Sequence, residues 1–260
     1  MEYKDFAIDL ARQAGAIIKA NFTLGMKKEW KADNTPLTIT DTTINQLVIN
    51  AVQKNFPNHS VLAEEGSAMI SGADCVWVCD PVDGTIPFSH GIPTCVFSLA
   101  LVQNGVPVLG VVYDPFMDRM YVAEKGNGAF LNQQPLRVSA TSAFRNTVIG
   151  IAYWNTAQFF SYPALHNALL AEEVKIINVM SITYMAALVA SGELVATVFQ
   201  GDKAHDTAAI KVIVEEAGGE VTDVYGNEQR YDQDIKGHVV SNGLLHPQLV
   251  KLIAGSEIVS

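Results

Sequence analysis

Apolar positions along this chain fall into two kinds of pattern, one helical and one strand-like. Apolar residues recur at helical spacing over residues 2–22 and again over 41–56, which predicts two amphipathic helices. Two short apolar runs, "HSVLAEEG" and "DCVWVCDP", follow and end in acidic loops, as expected of buried strands. Strand-like runs then flank Asn104-Gly105, a strong hairpin signal, and "RMYVAEKGNGAFLN" repeats that pattern around a glycine-rich turn.

From "NTVIGIAY" onward the pattern alternates between strands and helices. Helices are predicted in "PALHNALLAEE", "ITYMAALVASG", "DTAAIKVIVEEAGG" and "HPQLVKLIA", and strands in "KIINV", "LVATVFQ" and "HVVSN". No repeat or flexible linker separates the two halves. The pattern predicts an α/β (α+β) protein of mixed sheets, one compact unit with an N-terminal lobe at 1–145 and a C-terminal lobe at 146–260.

Composition narrows the possible partners. The 260 residues are 49% hydrophobic and carry 27 acidic and 17 basic side chains, a formal net charge of −10. This balance argues against nucleic acid or an anionic membrane as a partner, although bound cations would still allow small phosphates. No apolar run approaches the roughly 20 residues of a membrane span, and the N-terminus does not read as a signal peptide. The three cysteines fit no zinc or redox spacing, so we expect a cytoplasmic protein.

Five acidic residues stand at the ends of predicted elements. Asp80 and Asp83 follow a buried strand in "CDPVDGTIPF", with no basic residue between them. Two carboxylates in a poorly solvated place repel each other, and a divalent cation would relieve that repulsion. Glu65 follows another strand, and Asp41 and Asp206 begin predicted helices. If these segments converge, they form a metal site.

Each of these acids also has a purely structural explanation. Asp41 and Asp206 suit helix N-caps, which accept a backbone N–H bond. Glu64-Glu65 suits a polar turn, and Asp83 before glycine is a common turn residue. These explanations predict scattered acids, whereas a metal site requires them to meet.

Three separated motifs, "EEG", "DPVDGT" and "HDTAA", resemble those of the inositol monophosphatase family in their order along the chain. That superfamily also contains fructose-1,6-bisphosphatases and bisphosphate nucleotidases. "PLTITD" and "GVVYDPFMDRMYVAEKGNGAFLN" extend the resemblance through nearly the whole chain. The resemblance implies a layered α-β-α-β-α fold, a phosphoric monoester hydrolase that uses two to three Mg²⁺ per subunit, and a homodimer.

The resemblance also implies which residues hold the ions. Glu65, Asp80 and the backbone carbonyl of Val82 would hold the first Mg²⁺. Asp80, Asp83 and Asp206 would hold the second, and a weaker third ion would involve Glu65 and waters. Two such ions stabilise the attacking and the leaving oxygen together.

Further residues resemble the family's catalytic and phosphate-binding groups. Asp41 and Thr85 resemble the pair that orients and deprotonates the attacking water. Glu65 is a third catalytic candidate, because it would hold the ions that act on that water. The backbone N–H groups of Gly84 and Thr85 would bind the phosphate. A nucleophilic His or Cys is not required.

The departures from the family pattern fall where the substrate would lie. Ile86-Pro87-Phe88 replaces a common Thr-Asn-Phe, and His205 stands where a Trp is usual. Phe199, followed by Gln200, occupies the position of a glutamate that binds sugar hydroxyls in inositol enzymes. Four residues are therefore substrate-binding candidates: Ser181, Phe199, Gln200 and His205. Phe199 could equally be core, and His205 could merely fill the space of the Trp.

The leading hypothesis is a Mg²⁺-dependent phosphatase of a small phosphorylated metabolite, either inositol-phosphate-like or a sugar, polyol or amino-alcohol phosphate. Fructose 1,6-bisphosphate, histidinol phosphate and 3′-phosphoadenosine 5′-phosphate are alternative substrates. The Lys-Glu-Phe that nucleotidases typically carry after Gly-Thr is absent. A non-catalytic interaction protein on the same fold is a further alternative. A nucleotide-binding kinase or dehydrogenase lacks its motif, because "GVPVLG" and "GNGAF" suit hairpin turns.

Overall fold

The computed structural model describes residues 2–32, 34–152 and 159–256. Its helices are α1 (Tyr3–Asn21), α2 (Ile39–Asn55), α3 (Thr85–Ser89), α4 (Tyr162–Ala171), α5 (Ile182–Ala190), α6 (Ala208–Glu216) and α7 (His246–Ala254). Its strands are β1 (Glu29–Trp30), β2 (Pro36–Leu37), β3 (Ser60–Ala63), β4 (Cys75–Asp83), β5 (Val96–Gln103), β6 (Val106–Asp114), β7 (Arg119–Glu124), β8 (Ala129–Leu131), β9 (Gln134–Pro135), β10 (Val148–Ala152), β11 (Lys175–Ile177), β12 (Ala196–Phe199), β13 (Glu220–Thr222) and β14 (His238–Ser241).

Two large sheets organise these elements into layers. The first has the strand order β3-β4-β5-β6-β7-β8-β9, and only its β3–β4 pair is parallel. The second has the order β11-β10-β12-β14-β13, with β10 parallel to both of its neighbours. Helices α1 and α2 cover the outer face of the first sheet, α5 and α6 lie between the sheets, and α4 and α7 cover the second. The expected α-β-α-β-α layering is confirmed.

The core explains why the central strands are apolar on both faces. Successive side chains of a strand point to opposite faces, so Trp77 packs beneath α1 and α2 while Val78 packs toward α5 and α6. A third cluster joins the second sheet to α4 and α7. Each layer of helices therefore buries a separate apolar stripe.

Helix α6 lies unusually close to the first sheet. A Cβ built at Gly110 of β6 would lie 2.3 Å from the carbonyl oxygen of Ala209 in α6. Only glycine permits this approach, and Asp206 lies just before the same helix. The contact at Gly110 therefore sets how close α6, and with it Asp206, lies to the first sheet.

Most predicted elements are present, and the exceptions are instructive. Both N-terminal helices are confirmed, as is the hairpin at Asn104-Gly105, where both residues have positive φ. Asp41 is not an N-cap: Thr38 caps α2, and Asp41 is the N3 residue that completes its capping box. The lobe boundary near residue 145 stays a prediction. No helix in the described ranges is both long and apolar enough to cross a bilayer.

Candidate metal and phosphate site

A cavity of about 490 Å³ opens where β3 and β4 end and where α3 and α5 begin. Residues from both halves of the chain line it. They are Ala32, Asn34, Thr35, Pro36, Glu64, Asp80, Val82, Asp83, Gly84, Thr85, Ile86, Ala152, Asn178, Met180, Ile182, Phe199, Gly201, Asp202, Lys203, His205 and Asp206. The volume suits a small metabolite rather than a macromolecule.

The end of β4 delivers two buried carboxylates to this cavity. Residues three apart on a regular strand point to opposite faces, so Asp80 and Asp83 would normally separate. The pairing of β4 with β5 is irregular between these two residues, and both side chains reach the cavity. The backbone N–H of Val82 donates to Oδ1 of Asp80 over 3.0 Å, which fixes the turned chain. Both carboxylates are almost fully buried.

Asp83 is bound by the first turn of α5. Its Oδ2 accepts from Oγ of Ser181 at 2.5 Å and from the N–H of Thr183 at 2.8 Å. Its Oδ1 accepts from the N–H of Ile182 at 3.3 Å. Burial raises the pKa of Asp83 to about 6, while these hydrogen bonds act in the opposite direction. The helix N-terminus thus holds a buried carboxylate in a fixed orientation.

Asp41 lies behind the cavity and connects to it through Thr85. Its Oδ2 accepts from the N–H of Thr38 at 2.9 Å and also from the Thr38 hydroxyl. The Thr85 hydroxyl lies within donating distance of Oδ1 of Asp41, at 3.1 Å, and of the carbonyl oxygen of Val82, at 2.9 Å. Burial raises the pKa of Asp41, although the bonds from Thr38 oppose the shift. A fully buried carboxylate with a raised pKa suits the acceptance of a proton.

Glu64 and Glu65, which follow β3, direct their side chains to different places. Glu64 lines the cavity, and one oxygen each of Glu64 and Asp80 lies within 4.8 Å of the other and of a ring nitrogen of His205. Lys31 joins the pair from outside, with Nζ 2.7 Å from Oε1 of Glu64 and 2.8 Å from Oε1 of Glu65. The expectation that Glu65 holds the ions is therefore corrected, since Glu64 is the residue that faces the cavity.

The electrostatics of the site call for added positive charge. Burial, followed by repulsion from Glu64 and Asp83, raises the pKa of Asp80 well above its usual range. Burial, followed by repulsion from Asp83 and Glu64, does the same for Asp206. Carboxylate oxygens beside a backbone carbonyl are the donors that Mg²⁺ and similar hard cations prefer. This donor set fits divalent metal ions, which would neutralise the mutual repulsion.

The comparison with known proteins decides the family. A sequence profile of the inositol monophosphatase family matches residues 1–257. The chain belongs to the inositol monophosphatase family. It is 32% identical over 255 residues to the fructose-1,6-bisphosphatase/inositol-1-monophosphatase of Thermotoga maritima, which covers 97% of this chain and 96% of that protein. It is 31% identical over 253 residues to the histidinol-phosphatase of Chlorobaculum parvum, over 96% of each chain.

Solved structures agree with this assignment. The Thermotoga maritima IMPase superposes with a TM-score of 0.89 at 31% identity, covering 98% of each chain. Membership in the inositol monophosphatase family supports a phosphatase activity and a dependence on metal ions. The relatives carry different substrate names, so membership alone leaves the substrate of this chain open.

Two of the expected substrate-binding residues lie elsewhere. Ser181 is fully buried and binds Asp83, so it positions a candidate metal ligand rather than a substrate. Gln200 is also buried, and its amide binds the backbone of Phe159 and Phe160. Side chains alternate at the end of β12, so Phe199 turns toward the cavity and Gln200 away from it. Both expectations are corrected.

Apart from Asp41, which lies behind the cavity, the remaining expected residues do line it. They are Asp80, Val82, Asp83, Gly84, Thr85, Phe199, His205 and Asp206. Sequence reasoning missed Glu64 as a cavity residue, although it is adjacent to the one selected. It also missed Lys31 and Met180, for which no motif or spacing gave a signal.

Proposed function

We propose that this protein is a metal-dependent phosphatase of a small phosphate monoester. The observation that carries the proposal is the meeting of four carboxylates from three separate chain segments in one cavity. These are Glu64, Asp80, Asp83 and Asp206. Structural roles as caps or turn residues do not require such a meeting, whereas binding of divalent cations does.

The proposed ligand sets follow from which groups face the cavity. Glu64, Asp80 and the carbonyl of Val82 would hold one ion. Asp80, Asp83 and Asp206 would hold a second, so that Asp80 is shared. Divalent ions, when bound, neutralise charge on the phosphoryl group and make water easier to deprotonate. We propose Mg²⁺ or a cation of similar chemistry, two to three per subunit.

Thr85 and Asp41 would manage the proton of the attacking water. The Thr85 oxygen lines the cavity and can accept a hydrogen bond from that water. As the water attacks phosphorus, its proton passes to Oγ1 of Thr85 while the Thr85 hydroxyl proton passes to Oδ1 of Asp41. The leaving oxygen departs on the opposite side of phosphorus and takes up a proton from solvent, and the N–H groups of Gly84 and Thr85 would bind the phosphate.

The cavity wall supports a substrate with an apolar face beside its phosphate. The apolar part of the wall includes Ile86, Ala152, Met180, Ile182 and Phe199. Asn34, Asp202 and Lys203 also line the cavity, and they would suit a polar group of the alcohol. We therefore rank amino-alcohol and aromatic esters, of which histidinol phosphate is one, above bare polyol phosphates. A cytoplasmic homodimer is the proposed working form.

Phosphate release from a panel of esters tests the proposal. The panel contains myo-inositol 1-phosphate, histidinol phosphate, fructose 1,6-bisphosphate, glycerol 2-phosphate and 3′-phosphoadenosine 5′-phosphate, each with Mg²⁺, with Mn²⁺ and with chelator. Asp80→Asn should abolish turnover of the preferred ester. Asp9→Asn is the matched control, because it removes the same charge from an exposed position of α1 that does not line the cavity.

Metal-dependent release that is lost only in Asp80→Asn would support the proposal. Release that persists in Asp80→Asn would contradict the shared-ligand assignment. If a folded, metal-binding protein released no phosphate from any ester of the panel, the result would favour the non-catalytic interaction protein.

A further inference from the structure

His205 stands among the candidate metal ligands without a role assigned to it so far. It lies in the 3-10 turn Ala204–Asp206, between β12 and α6. Its side chain is 15% exposed and lines the cavity. One of its ring nitrogens falls within 4.8 Å of oxygens of both Glu64 and Asp80.

The described part of the chain gives the His205 ring no hydrogen-bond partner. Within residues 2–32, 34–152 and 159–256, no hydrogen bond reaches either ring nitrogen, and Nε2 lies 3.7 Å from Oδ1 of Asp206. That separation is too long for a hydrogen bond. A largely buried imidazole is normally given a partner by the fold. Here three of its neighbours, Glu64, Asp80 and Asp206, are carboxylates assigned to cations.

We infer that His205 is a nitrogen ligand of the ion held by Glu64 and Asp80. The inference rests on the proposed function in one respect, since the same two carboxylates must bind an ion. The ligand atoms of one ion, at bond lengths of about 2.0–2.2 Å, lie at most about 4.4 Å apart. The observed limit of 4.8 Å is therefore within a few tenths of an ångström of coordination, which side-chain rotation supplies.

A nitrogen donor changes which cation the site prefers. Mg²⁺ favours an all-oxygen shell, whereas imidazole suits the first-row transition metals. His205 therefore gives the site a preference for Mn²⁺, Co²⁺ or Zn²⁺ over Mg²⁺. Loss of a ligand of this kind should lower Mn²⁺ affinity at least about tenfold while changing Mg²⁺ affinity much less.

Pulsed electron paramagnetic resonance of the Mn²⁺-loaded protein tests the inference directly. Chelator-stripped protein is titrated with Mn²⁺ to saturation, and the electron spin echo is examined for modulation by directly coordinated ¹⁴N. We expect that modulation in the wild type and in His90→Gln, an exposed histidine bound to Lys28. We expect its loss in His205→Gln, with a fall in the Mn²⁺-to-Mg²⁺ affinity ratio measured by calorimetry.

Labelling removes any dependence on how the variant folds. Wild-type protein grown with ¹⁵N-histidine should replace the ¹⁴N pattern with a ¹⁵N pattern. Bound Mn²⁺ without histidine nitrogen modulation in the wild type would overturn the role of His205 and leave the phosphatase proposal intact. Failure of the wild type to bind Mn²⁺ or Mg²⁺ at all would overturn both.

Discussion

The hydroxyl oxygen of Thr85 lies 3.1 Å from Oδ1 of Asp41, although 44 positions separate the two residues in the chain. The contact joins the start of α3 to the first turn of α2. Because Thr85 faces the cavity and Asp41 lies behind it, the hydroxyl is a bridge between the space where water would react and a buried proton acceptor.

Replacing that hydroxyl tests the bridge. Thr85→Val keeps the shape of the side chain and removes the donor, so we expect kcat to fall by about 10²–10⁴-fold. Mn²⁺ affinity should change little, because the carbonyl of Val82 and the carboxylates remain. Thr42→Val, on the exposed side of α2, is the control and should retain activity. An unchanged kcat in Thr85→Val would remove Thr85 from the proton path.

Metal binding should depend on pH because protons and cations compete for the same oxygens. Without a cation, burial raises the pKa of Asp83 to about 6, and burial with carboxylate repulsion raises the pKa values of Asp80 and Asp206 well above their usual range. These acids therefore hold protons that the ion must displace, and affinity should fall as pH drops toward 6 and below. The increase in Tm on adding Mn²⁺ should be larger at pH 8 than at pH 6. An equal increase at both values would contradict the prediction.

His238 should make the protein less stable in acid. Its ring is buried and stacked on Phe199, and burial lowers its pKa to about 3. The folded protein thus keeps His238 neutral, while the unfolded chain takes up a proton below its ordinary pKa of about 6.5. The contribution to stability is complete above pH 6.5 and is lost as pH falls, by about 2 kcal/mol at pH 5.

Urea unfolding at pH 7 and at pH 5 measures this loss. His238→Gln removes the titrating ring and keeps groups that bond Thr207, so its free energy of unfolding should fall less between the two values. A wild type and variant with identical pH dependence would assign the acid sensitivity to other residues.

Gly110→Ala should weaken metal binding from a distance. The added methyl would meet the carbonyl oxygen of Ala209, so α6 must move away from the first sheet. We expect a loss of about 1–3 kcal/mol in the free energy of unfolding and a lower Mn²⁺ affinity, because Asp206 moves with the helix. Gly255→Ala is the control, since a methyl there meets nothing closer than 3.6 Å. Calorimetric titration of both variants checks the prediction.

Sequence patterns predicted the long elements and failed at short ones. Periodicity identified α1 and α2, because each buries a continuous stripe. The two-residue strands β1, β2 and β9 are too short to carry an alternating pattern.

At the site, the pattern identified the acids at element ends but not where their side chains point. Glu64 and Glu65 follow the end of β3, where the alternation of a regular strand no longer applies, so only the folded turn decides which one faces the cavity. The predictions that Gln200 and Ser181 bind substrate were wrong for the same reason. Being next to a cavity residue in the sequence does not specify which way a side chain points.

The hydrogen bonds from α5 to Asp83 have a consequence for how the protein unfolds. Three donors from residues 181–183, at the start of α5, bind the carboxylate of Asp83. Asp83 ends β4 of the first sheet, about a hundred positions earlier in the chain. If either half unfolded alone, the Asp83 carboxylate would lose these hydrogen bonds while still shielded from water, which is costly in free energy. The two halves should therefore melt in a single cooperative step, and amide hydrogen exchange in β4 and in α5 should slow together when a cation is added.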